Sequence, residues 1–427
     1  MNFSHSLELF EKGKNLIPSC TQTFSKGWSQ YPFGVSPVFL KKAEACFVWD
    51  VDGNKYIDWP MALGPVLLGH NYQTINEAIK KQIENGIAFS LSHFKEIELA
   101  EKLCNLIPCA EMVRFGKNGS DVTSGAVRAA RAYTGRDIIA CCGYHGWQDW
   151  YIGTTTRNKG VPVAVQNLTK TFEYNNICSL EKLFDQNPGK IACVILEPTS
   201  LIPPEKGFLE KVNDIAHENG SIVIYDECWT GFRWAMGGAQ AYFNVTPDLA
   251  CFGKAIGNGY PISAVVGCQD IMRIFDEIFF SFTFGGDLIG IIAGLAVLEE
   301  LETNDVISYI WKLGKRLIEG LNVLIDKYKL SDRIQVQGYP PKIFIFFKDE
   351  NGEDDLLLKS IVQQEMINRG ILYAGYHVIS YSHTTKEIND TLVAYNDIFA
   401  LIAKNIEVEN LKQLLKGKPV KPVFRKH

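Results

Sequence analysis

The sequence lacks the features that mark several broad classes of protein. Its 427 residues include no run of about 18 apolar residues, so we expect no membrane-spanning helix. The formal net charge is −5 and there is no block of basic residues, so nucleic acid is not an expected partner. No internal period indicates a repeat protein. The 46% hydrophobic content instead predicts a globular chain with a sizeable core, in two or three domains.

Cysteine is present, but not in the spacing that would give it a structural role. None of the 11 cysteines belongs to a Cys-x-x-Cys pair, so neither a zinc site nor a disulfide framework is predicted. We interpret the cysteines as free thiols in a reducing compartment. The first residues, Met1–Ser6, show no basic and apolar signal pattern. We therefore expect a cytoplasmic protein with no metal site and no membrane contact.

Two predicted strands each end in a charged residue. Residues 221–225 are mostly apolar and lead to Asp226, and residues 249–252 lead through Gly253 to Lys254. In an open α/β sheet, ligands bind outside the carboxyl ends of the strands. Asp226 and Lys254 are therefore expected to face one pocket.

An acid and a lysine in one pocket suit the chemistry of pyridoxal phosphate (PLP). The amine of Lys254 can form a Schiff base with the PLP aldehyde, and the carboxylate of Asp226 can keep the pyridine nitrogen protonated. A buried ion pair without a catalytic role would give the same pattern in the sequence. On these two residues alone, both interpretations stay open.

Another strand end carries a candidate anion site. Residues 113–116 are predicted to form a strand, and Asn118-Gly119-Ser120 leads into a helix predicted over Asp121–Tyr133. Free backbone amides at a helix N-terminus, with the Ser120 hydroxyl beside them, can bind a phosphate group. Ordinary capping of the helix by Ser120 is the alternative interpretation.

Several spaced motifs are similar to the signature of class III aminotransferases, which are PLP enzymes of fold type I. The similarity runs from about Gly34 to about Leu401 and is closest to the glutamate-1-semialdehyde aminomutase subgroup. The motifs are Asp226-Glu-Cys-Trp-Thr-Gly-Phe-Arg233, Gly237-Gly-Ala-Gln240, Val245-Thr-Pro-Asp-Leu249 and Gly253-Lys-Ala-Ile-Gly-Asn-Gly259.

The resemblance implies roles for the residues at the strand ends. Lys254 would be the Schiff-base residue, and Asp226 would pair with the pyridinium. Cys228 stands where a small branched residue backs the ring in the family. Glu197, which follows another predicted strand, would lie beside cofactor and substrate.

The resemblance also implies which residues bind the PLP phosphate and which residue stacks on the pyridine ring. Asn118-Gly119-Ser120 matches the phosphate-binding segment, with asparagine in place of its first serine. Tyr144 would stack on the pyridine ring, with His145 beside it in the pocket wall. Thr283 matches a residue that reaches the phosphate of the partner subunit, which implies a homodimer with shared active sites.

The residues expected to contact the substrate differ from those of aminomutases. Phe39 stands where aminomutases carry a carboxylate-binding arginine, and Leu63 stands where they carry a tryptophan. Without the arginine, this position has no guanidinium that could bind a substrate carboxylate through two hydrogen bonds. With Trp147 and Tyr376 as further candidate walls, we expect a carboxylate-poor aldehyde or ketone, such as a sugar-like compound, rather than glutamate-1-semialdehyde.

The order of predicted elements indicates an α/β fold. Strands and helices alternate over residues 111–254, which predicts a mostly parallel sheet between helices. We expect an N-terminal segment over residues 1–65, a large PLP-binding domain over 66–289, and a smaller α+β C-terminal domain over 290–427.

Three local predictions can be compared directly with a structure. The N-terminal segment is expected to hold a helix over Leu7–Ile17 and a β-hairpin over Cys46–Asp58. Near the C-terminus, one long helix is expected over Lys386–Leu415.

The sequence as a whole predicts a PLP-dependent aminotransferase, with L-glutamate as a candidate amino donor. An intramolecular 2,1-aminomutase is the first alternative, because the same cofactor residues serve both reactions. A non-catalytic binding protein on the same fold is the second. Such a protein is expected to have lost Lys254 or Asp226, and both are present.

Overall fold

A computed structural model describes residues 1–199, 201–406 and 408–422 of the chain. The chain divides into two compact units. The first contains Met1–Tyr72 and the described residues between 308 and 422, and the second contains Gln73–Ile307. The N-terminal segment thus belongs to the same unit as the C-terminal part of the chain. The three-domain division at residues 65 and 289 stays a prediction.

The strands are short, and all lie within the described residues. In chain order they are β1 Leu40–Glu44, β2 Phe47–Asp50, β3 Lys55–Asp58, β4 Met112–Gly116, β5 Ile138–Cys142, β6 Thr169–Thr171, β7 Ile191–Leu196, β8 Ile222–Asp226, β9 Leu249–Phe252, β10 Ser263–Gly267, β11 Ile334–Tyr339, β12 Lys342–Phe347, β13 Ile371–Leu372 and β14 Tyr376–Val378.

The α-helices range from single turns to six turns. In chain order they are α1 Ser4–Gly13, α2 Gln73–Ile83, α3 Phe94–Leu106, α4 Gly119–Thr134, α5 Asp149–Ile152, α6 Val163–Gln166, α7 Ile177–Gln186, α8 Phe208–Glu218, α9 Ala239–Phe243, α10 Gln269–Met272, α11 Leu288–Thr303, α12 Val306–Lys327, α13 Leu356–Asn368, α14 Thr385–Lys404 and α15 Val408–Leu414.

The second unit is built on a seven-stranded sheet in the order β4-β10-β9-β8-β7-β5-β6. The strands from β9 to β6 run parallel, whereas β10 is antiparallel to both of its neighbours. Every residue of β7, β8 and β9 is buried. Strands buried on both faces are typical of parallel sheets covered by helices. The predicted mostly parallel α/β architecture is confirmed.

The first unit contains two smaller sheets. One has the strand order β1-β2-β3-β13, and the other is an antiparallel sheet in the order β11-β12-β14. The predicted hairpin is present as the antiparallel pair β2 and β3. Its turn is fixed by the Asp50 carboxylate, which accepts hydrogen bonds from the Asn54 backbone amide and side chain, each at 2.8 Å.

Two predicted helices have different limits in the structure. The helix predicted to end at Ile17 ends at Gly13, because Ile17 precedes Pro18 and takes an extended conformation with φ −129° and ψ 119°. The single helix predicted over Lys386–Leu415 is wrong, since α14 ends at Lys404. There the Asn405 side chain donates to the Leu401 carbonyl at 2.9 Å and occupies the end of the helix.

Some features are absent from the part of the chain that the structure describes. No helix in it is long and apolar enough to cross a membrane. No group of three or more His, Cys, Asp or Glu side chains among these residues is arranged to hold a metal ion. All 11 cysteines lie within the described ranges as free thiols.

Candidate active site

Four parallel strands of the second unit end at one cavity of about 130 Å³. The chain leaving β5, β7, β8 and β9 supplies most of its wall, and the start of α4 supplies the rest. The lining residues are Gly119, Ser120, Tyr144, His145, Gly146, Glu197, Asp226, Cys228, Trp229 and Lys254. Because ligands of open α/β sheets bind at this edge, the cavity is the candidate active site.

The Asp226 carboxylate is buried at the end of β8 and accepts two hydrogen bonds. His145 Nδ1 donates to Asp226 Oδ2 at 2.9 Å, and the backbone amide of Cys228 donates to Oδ1 at 3.1 Å. His145 Nε2 lies 3.0 Å from the carbonyl oxygen of Cys142, which can only accept. Both imidazole nitrogens of His145 therefore act as donors, and the ring is the charged imidazolium.

The pKa shifts in this pair follow from burial and from the partner charges. Burial alone would raise the pKa of Asp226, but the hydrogen bond and charge of His145, with the charge of Lys254, lower it. Burial alone would lower the pKa of His145, but Cys141 and the Asp226 carboxylate raise it well above its usual value. Asp226 is thus held ionised at neutral pH although it is only 4% exposed.

Lys254 follows β9 after Gly253 and carries a strained backbone. Its φ of +46° lies in the left-handed region, which costs a non-glycine residue roughly 1–2 kcal/mol. The Lys254 Nζ atom lies 5.3 Å from the centre of the Trp229 ring, within the range of a cation–π contact. The chain therefore accepts backbone strain to bring this amine to the cavity, a pattern typical of functional sites.

The N-terminus of α4 offers free donors to the cavity. The Asp121 carboxylate accepts from the amides of Lys117 and Asn118, at 3.0 and 2.7 Å. No acceptor among the described residues reaches the backbone amides of Gly119 and Ser120. These two amides and the positive end of a 16-residue helix can bind an anion.

Two glycines allow close approaches around this helix start. A Cβ on Gly146, which has φ +109°, would lie 2.1 Å from the Ser120 Oγ atom. A Cβ on Gly119 would lie 2.9 Å from the Sγ atom of Cys228. Any larger residue at either position would displace a side chain that lines the cavity. Cys228 is itself buried, and burial raises the pKa of its thiol well above the usual value.

Tyr144 and Glu197 line the same cavity and contact each other. The Tyr144 amide donates to Glu197 Oε2 at 3.2 Å, and the Tyr144 ring meets the ring of Tyr151 edge-on at 5.4 Å. Tyr144 is 51% exposed. Burial, followed by the charges of Asp226 and Glu197, raises the pKa of the Tyr144 phenol.

Three predicted residues of the second unit lie outside the cavity lining. Asn118 is exposed, and its carbonyl accepts from Ser263 Oγ at 2.8 Å. Trp147 is 65% exposed, and its amide donates to Ser120 Oγ at 3.2 Å. Thr283 is exposed and lines a different cavity, of about 680 Å³, in the same unit.

The other predicted substrate residues belong to the first unit. Leu63 lines an apolar cavity of about 210 Å³, and it is the last of three successive non-glycine residues with positive φ. Tyr376 lines another cavity, of about 310 Å³. Phe39 lines neither of these two cavities; its ring reaches towards Gly13.

Sequence reasoning missed three residues that shape the site. Trp229 and Gly146 line the cavity, and both stand beside predicted site residues in the chain. Glu227 is fully buried behind Asp226, where it accepts from the amides of Ala239 and Gln240 at 2.7 and 2.8 Å. Trp229 could have been predicted from its position shortly after a predicted strand. Nothing in the sequence indicated the hydrogen bonds of Glu227.

The donor set of the cavity fits PLP. The free amides and the Ser120 hydroxyl suit a phosphate, and the ionised Asp226 suits a protonated pyridine nitrogen. The Lys254 amine suits an aldehyde, and the aromatic ring of Tyr144 in the lining suits a flat ring.

Comparisons with known proteins agree with this fit. A family model described as aminotransferase class-III matches residues 31–382. A 3-aminobutyryl-CoA aminotransferase of Cloacimonas acidaminovorans (strain Evry) is 33% identical, over 95% of this chain and 99% of its own. A glutamate-1-semialdehyde 2,1-aminomutase 2 of Lachnoclostridium phytofermentans is 34% identical, over 91% of this chain and 97% of its own. The structure of FumI from Sphingopyxis sp. MTA144, in its PLP internal aldimine form, has a TM-score of 0.89 and 26% identity, over 96% of this chain and 99% of its own.

Proposed function

Because this chain belongs to the class III aminotransferases, which use PLP, we propose that it transfers an amino group from a donor to a carboxylate-poor aldehyde or ketone. The observation that carries the proposal is the convergence of Lys254 and the Asp226–His145 pair on one cavity at the carboxyl edge of the sheet. Bound PLP supplies an aldehyde that takes up amino groups and a ring that withdraws electrons.

Each residue at this edge has a distinct part in the proposal. Lys254 Nζ would hold the aldehyde of bound PLP in the resting enzyme and, once released, would move the proton at the substrate carbon. Asp226 holds a proton on the ring nitrogen, and Tyr144 covers one ring face. The amides of Gly119 and Ser120 hold the phosphate, with Asn118 as the residue before the helix.

The remaining predicted cofactor residues act as wall and support in this proposal. Cys228 lies against Gly119 and fills the space behind the ring. Glu197 orients the Tyr144 amide through the contact at 3.2 Å. His145 donates to Asp226 and keeps that carboxylate ionised.

The expected substrate follows from what the cavity wall lacks. Among the described residues that line the cavity, none is an arginine, so no bidentate partner for a carboxylate is present there. Phe39, Leu63, Trp147 and Tyr376 are retained as candidate substrate contacts. A sugar-like aldehyde or ketone is the first acceptor class to test, with L-glutamate as the first donor.

The decisive experiment follows the visible absorption of the PLP-loaded protein as L-glutamate is added. We expect bleaching of the yellow cofactor band in the wild type, and its recovery when an acceptor is supplied. Lys254→Ala should lower turnover by at least about a thousandfold, whereas Lys211→Ala, at an exposed position on α8, should match the wild type. Substantial turnover in Lys254→Ala would contradict the proposal.

An aminomutase is the second candidate, favoured by the 34% identity to the Lachnoclostridium protein. The two functions differ in their need for a separate acceptor. A mutase converts glutamate-1-semialdehyde with no added acceptor, and its cofactor band is not bleached by L-glutamate. Bleaching by L-glutamate therefore supports the aminotransferase, whereas turnover of glutamate-1-semialdehyde without an added acceptor supports the mutase.

We further propose a homodimer in which Thr283 contacts the phosphate bound by the partner. In support, four apolar side chains that line the cavity of Thr283 are exposed: Phe89, Leu91, Ile97 and Phe282. Such clustered apolar exposure marks association surfaces. Leu91→Asp should therefore yield a monomer in light scattering.

Mixed dimers test whether Thr283 serves the partner's site. Lys254→Ala and a Thr283→Tyr variant should each be inactive alone. If the sites are shared, a heterodimer of the two has one complete site and regains about half the wild-type activity per dimer. No recovery would show that Thr283 acts within its own subunit.

A further inference from the structure

A cavity of about 310 Å³ lies wholly within the first unit. Its walls come from β12, the start of α13 and the turn before β14. This volume is at the lower limit of small-molecule sites in proteins. The lining includes one amine, at Lys359, two carboxylates, the polar side chains of Ser25 and Gln30, and several aromatic and aliphatic side chains.

Lys359 presents an uncompensated amine to this cavity. Its Nζ atom makes no hydrogen bond or ion pair with any described residue. It lies beneath Gly375, 3.1 Å from the position that a Cβ would take there. Burial lowers the pKa of Lys359, and the charge of Asp354 opposes this effect only in part.

The two carboxylates that line the cavity already have partners. Asp354 pairs with Lys348 at 2.8 Å. Asp355 pairs with Arg333 at 3.1 Å and accepts from the amide of Leu358 at 2.8 Å, which fixes it as the cap of α13. Each carboxylate is thus paired with another cation, at Lys348 or Arg333, and Lys359 is the cation of the lining that remains for a ligand.

Aromatic rings form another part of the wall. Phe344 lies 6.3 Å from Phe346 and 5.8 Å from Tyr376, measured between ring centres. An apolar body would replace water against these rings, as in most small-molecule sites.

We propose that this cavity binds a small monocarboxylate with an aromatic or aliphatic body, whose carboxylate pairs with Lys359. A charge-assisted hydrogen bond in a partly apolar cavity is strong enough to direct such binding. The proposal rests on Lys359 and does not depend on the transferase proposal, in which Tyr376 of this lining is a candidate substrate contact.

The test uses the full PLP-loaded protein and 3-phenylpropionate as the probe, with affinity measured by calorimetry. We expect saturable binding in the wild type and in Lys312→Met, which removes an exposed lysine of α12. Lys359→Met should bind at least about tenfold more weakly, the effect of losing one charged hydrogen bond. Equal affinity in Lys359→Met, or no saturable binding to the wild type, would overturn the proposal.

Two further measurements need no variant at Lys359. The neutral analogue 3-phenylpropanamide should bind the wild type at least about tenfold more weakly, because it cannot pair with the ammonium. Saturating 3-phenylpropionate should also slow acetylation of Lys359, followed by peptide mass spectrometry, while Lys312 reacts at an unchanged rate. Equal binding of the amide, or no protection of Lys359, would refute the assigned ligand class.

Discussion

Two buried histidines of the first unit should make the stability of the protein fall in mild acid. His377 and His383 are both fully buried against Trp59, whose ring meets His377 edge-on at 4.9 Å and is stacked on His383 at 4.3 Å. His383 Nδ1 accepts from the amide and hydroxyl of Ser380, at 3.1 and 2.9 Å. This histidine is therefore held in its neutral form. Burial is the main cause that lowers the pKa of each to about 3.

The magnitude follows from the difference between the folded and unfolded states. In the unfolded chain each histidine takes up a proton as the pH falls through its ordinary pKa of 6.5, while in the folded protein it stays neutral until about pH 3. The unfolded state thus binds more protons across this range, and stability falls as the pH is lowered. Between pH 7.5 and 5.0 the loss is about 2 kcal/mol per histidine and about 4 kcal/mol for both.

Urea unfolding at pH 7.5 and pH 5.0, followed by tryptophan fluorescence and circular dichroism, measures this loss. His377→Gln and His383→Gln should each reduce the acid-induced loss by about 2 kcal/mol, whatever they do to the stability at pH 7.5. His5→Gln, which removes an exposed histidine, controls for histidine number. If both buried variants lose as much stability in acid as the wild type, the two histidines are not the neutral buried groups described above.

Two other substitutions test residues that support the active site. Glu227→Ala should destabilise the protein by about 3–5 kcal/mol, because the amides of Ala239 and Gln240 lose their buried acceptor. A loss below about 1 kcal/mol in urea unfolding would contradict this role. Gly146→Ala should weaken PLP binding to the apoprotein by at least about tenfold in an absorbance titration, since the new Cβ would meet Ser120 Oγ at 2.1 Å. Gly160→Ala is its control, because Gly160 also has positive φ but nothing within 4 Å; equal effects would assign the loss to backbone strain.

The sequence predicted those parts of the fold that depend on how deeply an individual strand is buried. Strands β8 and β9 appear in the sequence as continuous apolar runs, because both faces of a central parallel strand are covered. The end of each run then marks the edge where Asp226 and Lys254 lie. Burial does not reveal strand direction, however. Strand β10 is equally buried but runs antiparallel between β4 and β9, which no pattern in the sequence indicated.

Contacts between residues that are far apart in the chain could not be predicted from the sequence, for a different reason. His145 and Asp226 are 81 positions apart, so their hydrogen bond depends on the order of β5, β7 and β8 in the sheet. The limits of α1 and α14 were missed because single residues decide them, Ile17 before a proline and Asn405 at a helix end.

The His145–Asp226 pair also explains how a buried acid can serve a cofactor. An isolated carboxylate at this depth would take up a proton, and a neutral acid could no longer stabilise a protonated ring nitrogen. His145 prevents this because the Cys142 carbonyl at Nε2 and the carboxylate at Nδ1 each require a donor, which fixes the imidazolium. The positive charge behind Asp226 therefore offsets the desolvation of the carboxylate. The ionised state of Asp226 is thus imposed by the backbone of β5 through a histidine, and it does not require a ligand to be present.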